Sequence, residues 1–253
     1  MPCTLIEVDT ELKSLLKPEL FSDYCPNGIQ VEGREEISKI VSGVTASKAL
    51  IDAAVSASAD FILVHHGYFW RGEDPSISGL KKKRIQTLLK NEISLAAFHL
   101  PLDAHPDLGN NAQLAKVLRF TVESPLDISS ANPIVFSGRV PKPLSFEEMS
   151  RHLRTELKRE PLGIRGRREK IETIAWCTGA AQSFIELAVE AKVDAYLTGE
   201  VSEQTVHIAR ESGLHFFSAG HHATERYGVR AVGDYLAEKF VLEHEFIDID
   251  NPV

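Results

Sequence analysis

The stretch that decides the fold of this 253-residue chain is Ala59-Asp-Phe-Ile-Leu-Val-His-His-Gly67. Its run of β-branched and aromatic residues, closed by a glycine, predicts a buried strand that enters a turn. Upstream, Lys39 to Val44 predicts another strand, and Thr45-Ala-Ser47 supplies N-cap residues for a helix from Lys48 to Ser58. These segments together predict a strand–helix–strand unit of an α/β protein.

The same unit occurs a second time in the chain. Lys39-Ile-Val-Ser-Gly-Val-Thr-Ala-Ser47 aligns with Thr173-Ile-Ala-Trp-Cys-Thr-Gly-Ala-Ala181, and the following helix and strand align without a gap. In this alignment Gly199-Glu200 takes the place of His65-His66. The chain is therefore expected to form an α/β fold of two pseudo-repeated subdomains with layered sheets.

We expect the two halves to divide near residue 126, within a crossover linker over residues 124–133. The first half is residues 1–126. The second is 127–253, and its C-terminal part, about 214–253, is expected to return to a site shared by both halves.

Composition excludes several classes of function. The net charge of −8 and the pI near 5.7 argue against a protein that coats nucleic acid, because neutralising phosphates needs a basic surface. The N-terminal residues lack the features of a signal peptide, and no apolar stretch reaches the roughly 20 residues that span a bilayer. Cys3, Cys25 and Cys177 are far apart, which suits a reducing compartment. We expect a cytoplasmic protein without nucleic-acid or membrane partners.

Histidines and acidic residues follow several of the predicted strands. His65-His66 ends one strand, His99-Leu-Pro-Leu-Asp103 follows another, and His221-His-Ala-Thr-Glu225 follows a third. In open α/β sheets, ligands bind outside the carboxyl ends of the strands. We therefore expect a metal site at the C-terminal ends of the strands, between the two subdomains. His221 and Glu225 can share one face at a helix start, whereas Pro101 favours an extended segment.

Five side chains are the candidate metal ligands: His65, His66, Asp103, His221 and Glu225. Three nitrogens and two carboxylates suit iron, manganese or zinc rather than calcium. Because five ligands exceed the needs of one open catalytic ion, we expect two divalent cations per chain.

The remaining histidines are weaker candidates. His105 and His222 break the repeated spacing and are expected in solvent-facing loops. Four others lie inside predicted helices or strands and are expected to be ordinary structural residues: His152, His207, His215 and His244.

His99 and Glu200 are the candidate catalytic residues, because either could move protons beside a pair of cations. Glu200 could instead orient a ligand. The segment Thr178–Ser183 is either an anion site at a helix N-terminus or a tight turn that requires Gly179. The chain shows no Walker loop, no dinucleotide-binding glycine motif and no Ser-His-Asp spacing.

Several motifs resemble one known family, and they cover nearly the whole chain: Asp23-Tyr-Cys-Pro-Asn-Gly-Ile-Gln-Val31, Gly43-Val-Thr45, His65-His66-Gly67, His99-Leu-Pro-Leu-Asp103, Thr198-Gly-Glu200 and Gly220-His-His-Ala-Thr-Glu225. They resemble the Nif-three-like proteins, also described as GTP cyclohydrolase 1 type 2 homologs, in the short form without an extra middle domain. The resemblance implies a two-subdomain α/β fold and a dinuclear centre held by the five ligands named above. It also implies a toroidal homohexamer with metals facing an internal cavity.

The function implied by the resemblance is metal-dependent hydrolysis of a small nucleotide-like substrate. Opening of the GTP ring, by attack at C8 and release of formate, is the named candidate. Two alternatives are a non-enzymatic metal-binding or regulatory ring protein, and a metal-dependent phosphoester or amide hydrolase.

Overall fold

The computed structural model describes residues 3–127 and 132–253, and the chain divides into two compact units. Unit 1 contains the chain up to Gly109 together with Gly228–Asp250. Unit 2 contains Asn110–Tyr227 and Asn251–Val253. Within the described residues, no helix is both long and apolar enough to cross a membrane.

Unit 1 is built on a five-stranded sheet and a separate two-stranded pair. Its strands are β1 (Cys3–Thr4), β2 (Gly28–Val31), β3 (Glu36–Ile37), β4 (Lys39–Thr45), β5 (Phe61–His66), β6 (Ser94–Ala97) and β13 (Glu243–Phe246). Its helices are α1 (Leu5–Leu16), α2 (Lys48–Ser56), α3 (Gly79–Lys90), α4 (Leu100–Ala104) and the larger part of α9 (His221–Phe240), with a 3-10 turn at Pro18–Leu20. The sheet order is β13-β4-β5-β6-β2, in which β2 alone is antiparallel to its neighbour, and β1 pairs with β3.

Unit 2 is built on a six-stranded mixed sheet. Its strands are β7 (Thr121–Pro125), β8 (Phe136–Leu144), β9 (Leu162–Ile164), β10 (Ile171–Trp176), β11 (Ala195–Thr198) and β12 (His215–Ser218). Its helices are α5 (Asn110–Leu118), α6 (Phe146–Leu157), α7 (Ile185–Glu190), α8 (Glu203–Ser212) and the start of α9, with a 3-10 turn at Gln182–Phe184. The order is β7-β8-β10-β11-β12-β9, and β10, β11 and β12 are parallel.

Each central sheet is buried on both faces, which gives the layered α/β architecture predicted from the sequence. In β5, Phe61 and Leu63 pack into one apolar cluster, whereas Ile62 and Val64 pack into another. Adjacent side chains of a strand point to opposite faces, so this division shows a sheet covered on both sides. Tyr196 in β11 likewise packs into a different cluster from its neighbours.

The strand–helix–strand repeat is visible in matching hydrogen bonds. Asp60 Oδ2 accepts the backbone N–H groups of residues 38–39 at 2.9 and 3.0 Å. At the equivalent position, Asp194 Oδ2 accepts those of residues 172–173, both at 2.9 Å. A carboxylate at the start of the second strand therefore anchors the start of the first strand in both units.

The division into units differs from the expected one near residue 126. Residues 110–126 group with unit 2, because Leu114 of α5 packs into the cluster that contains Trp176. Residues 228–250 group with unit 1, because Val229 packs into the cluster that contains Phe61. Of the expected linker over 124–133, residues 124–125 belong to β7, and residues 128–131 lie outside the described part of the chain.

The local prediction at Pro101 needs correction. Pro101 does not keep its segment extended, because it lies in the first turn of α4, where a missing backbone N–H costs nothing. Helix α9 begins at His221, so His221 and Glu225 both lie in its first two turns.

Candidate metal centre

Three imidazoles come together in unit 1 at the exits of two neighbouring parallel strands. His65 and His66 end β5 with ring centroids 4.4 Å apart, so the strand end does bring both rings to one place. His99, which follows β6, lies 5.0 Å from His65 and 5.8 Å from His66 between centroids. Each of the three offers a nitrogen within 4.8 Å of the others, close enough to hold one metal ion.

The His65 ring is fully buried and held in one tautomer. Its Nδ1 lies 2.9 Å from the carbonyl oxygen of Phe98 and must donate to it. The lone pair is therefore on Nε2, which lies 3.5 Å from Oδ1 of Asp103. Asp103 is itself buried on α4. A hydrogen bond from the far nitrogen is the usual device that orients a metal-binding histidine.

His66 and His99 are oriented in the same way. Nδ1 of His66 lies 3.2 Å from Thr45 Oγ1, and Nδ1 of His99 lies 2.7 Å from Asp23 Oδ1. All three rings are thus anchored through Nδ1, which leaves Nε2 as the atom available to a metal ion.

Asp23 is a site residue that the sequence did not single out. Its side chain is 3% exposed. Besides the His99 ring it accepts hydrogen bonds from the Asn27 amide and the Leu100 backbone at 2.9 Å each. Burial alone would raise the pKa of this carboxyl, but the hydrogen bonds lower it to about 2. Its only sequence signal was its place in the Asp23–Val31 family motif.

Asp23→Asn is expected to destabilise the metal-free protein by on the order of 2 kcal/mol near neutral pH, since the pKa of Asp23 is depressed to about 2. Because the folded state favours the carboxylate, this contribution is present above about pH 4 and lost as the pH falls through about 2. Urea unfolding of both proteins across this range measures it. The exposed Asp52→Asn is the control, and a destabilisation that is constant with pH would contradict the assignment.

In unit 2, His221 and Glu225 meet on one face of α9. His221 Nε2 lies 3.2 Å from Oε2 of Glu225, which is 3% exposed, and its Nδ1 lies 2.7 Å from Oε1 of Glu200. Glu200 therefore occupies the position of a carboxylate that orients a metal-binding histidine. Burial would lower the pKa of His221, but Glu225 and Glu200 raise it to about 9, so an ion bound there would have to displace a proton.

Gly179 makes room for this pair. Its φ of +69° favours glycine, and a Cβ there would overlap Glu225 Oε1. Its N–H donates to Thr224 Oγ1 at 3.1 Å, and Thr178 N–H donates to Asn111 Oδ1 at 3.0 Å. The positive φ of Gly179 and these two internal hydrogen bonds support the interpretation of Thr178–Ser183 as a tight turn that requires Gly179.

The two His-x-x-x-acid segments are not equivalent in the repeat. In the alignment of the repeat, Val64 of β5 corresponds to Thr198 of β11. Val64 pairs with Ala97 of β6, and Thr198 pairs with Ser218 of β12, so Ala97 and Ser218 are equivalent positions. Counting from these strands, His99 corresponds to Gly220, and His221 lies one position later. The common spacing therefore reflects two separate arrangements rather than one duplicated motif.

The weaker histidine candidates occupy structural positions. His105 Nδ1 accepts the backbone N–H groups of Asp107 and Leu108 at 3.2 and 3.1 Å, and burial lowers its pKa. His222 is buried in α9 rather than in a solvent-facing loop. The other four lie in helices or strands as expected: His152 in α6, His207 in α8, His215 in β12 and His244 in β13.

A Ser-His-Asp chain of hydrogen bonds is present although no sequence spacing indicates one. His244 Nε2 lies 2.8 Å from Ser42 Oγ, and its Nδ1 lies 2.8 Å from Asp234 Oδ1. Ser42 is completely buried, so no substrate can reach its hydroxyl. These hydrogen bonds join β4, β13 and α9 within unit 1 and have a structural role.

Several known proteins and solved structures are similar to this chain over nearly its whole length. A Pseudomonas aeruginosa protein named GTP cyclohydrolase 1 type 2 homolog is 57% identical over 249 residues, which cover 98% of this chain and 97% of that protein. The solved structure of protein ybgI, described as of unknown function, matches with a TM-score of 0.95 at 50% identity and covers 99% of this chain and 100% of that one. A Thermus thermophilus structure matches with a TM-score of 0.89 at 32% identity, over 99% of this chain and 100% of that one.

A family model provides the assignment. The model described as Duf34/NIF3 (NGG1p interacting factor 3) matches residues 3–252, nearly the whole sequence. The chain belongs to the Duf34/NIF3 family.

Proposed function

We propose that this chain is a metal-dependent hydrolase with one dinuclear centre, whose ligands are His65, His66, Asp103, His221 and Glu225. The observation that carries the proposal is the shared orientation of the histidines. Nδ1 of each ligand histidine has a hydrogen-bond partner, which leaves Nε2 for an ion. Buried carboxylates lie 3.5 Å from His65 Nε2 and 3.2 Å from His221 Nε2.

The donor set suits a pair of borderline divalent cations such as iron, manganese or zinc. Bound there, they would supply Lewis-acid activation of water or of a substrate oxygen. Around them, Glu200 is hydrogen-bonded to Nδ1 of His221, and Asp23 to Nδ1 of His99, whose ring lies beside the other imidazoles. His99 is the residue that we assign to proton transfer, because a carboxylate-paired imidazole can accept and return a proton at Nε2.

The substrate class that we propose is a nucleotide-like small molecule, with GTP as the first candidate. Its support is the name GTP cyclohydrolase 1 type 2 homolog carried by relatives that are 50–57% identical. The proposal includes a cytoplasmic homohexamer, as the family resemblance implies. Light scattering coupled to size-exclusion chromatography measures this assembly directly.

Metal analysis is the primary test. The purified protein, stripped and reloaded with zinc, manganese or ferrous iron, is expected to retain about two ions per chain. Five ligand side chains are more than one open catalytic ion uses. A content near zero would contradict the site, and a content of one would contradict its dinuclear form.

Turnover separates a hydrolase from a binding ring. The metal-loaded protein is incubated with GTP, other nucleotides and phosphoesters, and products are separated by chromatography. Metal-dependent formation of a hydrolysis product is the expected result. If none of these compounds turns over with any of the three metals, the enzyme proposal fails. The alternative, a non-enzymatic metal-binding or regulatory ring protein, then replaces it.

A further inference from the structure

Two aromatic side chains stand beside the imidazoles of unit 1. The Trp70 ring lies 5.1 Å from His99 and 5.9 Å from His66, between centroids. The Tyr24 ring lies 6.3 Å from His99 in an edge-to-face arrangement. Tyr24 is 58% exposed, an unusual position for a large aromatic ring next to buried polar groups.

Both rings are carried by loops that are fastened together. Arg71 N–H donates to the Tyr24 carbonyl at 2.6 Å, and its guanidinium donates to the Asp23 carbonyl at 2.9 Å. That guanidinium also lies 5.9 Å from the centre of the Tyr24 ring. Trp70 is fixed at both ends, since its indole N–H donates to Gly67 and its backbone N–H to Glu73, at 3.2 and 3.0 Å.

Packing does not account for this arrangement. The apolar clusters of unit 1, as far as the described residues define them, contain neither Tyr24 nor Trp70. Aromatic rings held rigidly at a polar site offer flat faces for stacking at little entropic cost. Such faces accept any nucleobase, because every base has a π surface.

We propose that Tyr24 and Trp70 form an aromatic wall that stacks a purine-type base and holds it beside His66 and His99. This inference rests on the proposed function and deepens it, because it assigns substrate recognition to the base rather than to the phosphates. The polar edge of the base meets Nε2 of His99, whose Nδ1 is bonded to Asp23, whereas its faces meet the two rings.

Intrinsic fluorescence tests the wall without any turnover. The chain has two tryptophans, and the second, Trp176, is fully buried in unit 2. Guanosine and GTP, titrated into the zinc-loaded protein, are expected to quench Trp70 emission, whereas inorganic triphosphate is not. Trp70→Phe is expected to abolish the quenching while guanosine still binds by equilibrium dialysis.

Substitutions separate stacking from a structural role. Tyr24→Ala and Trp70→Ala are expected to weaken guanosine binding by about 10-fold or more each, the loss typical of removing one stacked ring. Tyr24→Phe keeps the ring and is expected to bind like the wild type. Zinc content and circular dichroism confirm that each variant is folded and metal-loaded.

The outcomes distinguish this inference from the proposed function. Base binding without turnover supports the wall and contradicts the hydrolase. Turnover of a nucleotide with an unchanged KM in Tyr24→Ala and Trp70→Ala supports the hydrolase and overturns the wall. Failure of guanosine and GTP to bind also overturns the wall. A change of assembly state in these variants with unchanged guanosine binding overturns it as well, because the two rings would then form a subunit contact.

Discussion

Asp103→Ala is expected to reduce the metal content from about two ions per chain to one or fewer. Asp103 is buried, and its Oδ1 lies 3.5 Å from Nε2 of His65, the atom proposed to coordinate the metal. A carboxylate in this position can bridge two ions, so its removal affects both. The loss of metal affinity should exceed the 10- to 100-fold typical of outer-shell substitutions, as measured by competition with a chelator.

The matched control is His105→Ala, which removes a potential ligand two residues away. Its Nδ1 accepts two backbone N–H groups of its own loop, so both ions should be retained. Comparable metal loss in the two variants would show that the loop acts as a whole and that Asp103 is not a ligand. Thermal unfolding of the metal-free proteins checks that the Asp103 variant still folds.

Glu200→Gln is expected to weaken metal binding by about 10- to 100-fold, because Glu200 is the hydrogen-bond partner of His221, a proposed metal ligand. The substitution is nearly isosteric, and glutamine can still accept the His221 hydrogen bond, so folding should survive. It removes the negative charge that supports His221. Isothermal titration with zinc, beside the exposed Glu203→Gln as control, measures the change.

The pH dependence of zinc binding reports the same interaction. In the metal-free protein, Glu225 and Glu200 raise the pKa of His221 to about 9 despite its burial, so protons compete with zinc below that pH. Without the Glu200 charge the pKa falls, and proton competition should end at a lower pH in the variant. An unchanged pH profile would contradict this role for Glu200.

Activity at saturating metal decides between two roles for Glu200. If Glu200 is only a positioning residue, excess zinc should restore hydrolysis to the wild-type rate. If it also transfers protons, a loss of about 100-fold should remain after both ions are bound. Unchanged metal affinity and unchanged rate together would exclude both roles.

The repeated α/β architecture and the candidate ligands could be predicted from the sequence because their signals are local. A continuous run of apolar residues defines β5, and an N-cap serine at Ser47 starts α2. His65 and His66 follow directly from a strand end that a short window of sequence reveals. The carboxylates that begin the second strands, Asp60 and Asp194, repeat in sequence and in hydrogen bonding.

Contacts between distant segments decided what the sequence left open. Asp23 meets His99 across 76 positions, and Ser42 meets His244 across 202, so neither pair has a spacing that a motif could show. The sequence leaves Glu200 either as an acid–base residue or as an orienting carboxylate, and only its hydrogen bond to His221 favours the second role.

The sequence by itself determined the type of the elements in the repeated strand–helix–strand unit, because strand and helix periodicity and capping depend on neighbours within a few residues. Only the tertiary structure decided which elements share a core. Residues 228–250 return to unit 1, and residues 110–126 pack into unit 2, because apolar side chains join whichever cluster buries them, regardless of their distance along the chain. The same holds for the tautomers of the site histidines, which are set by hydrogen-bond partners brought together by folding.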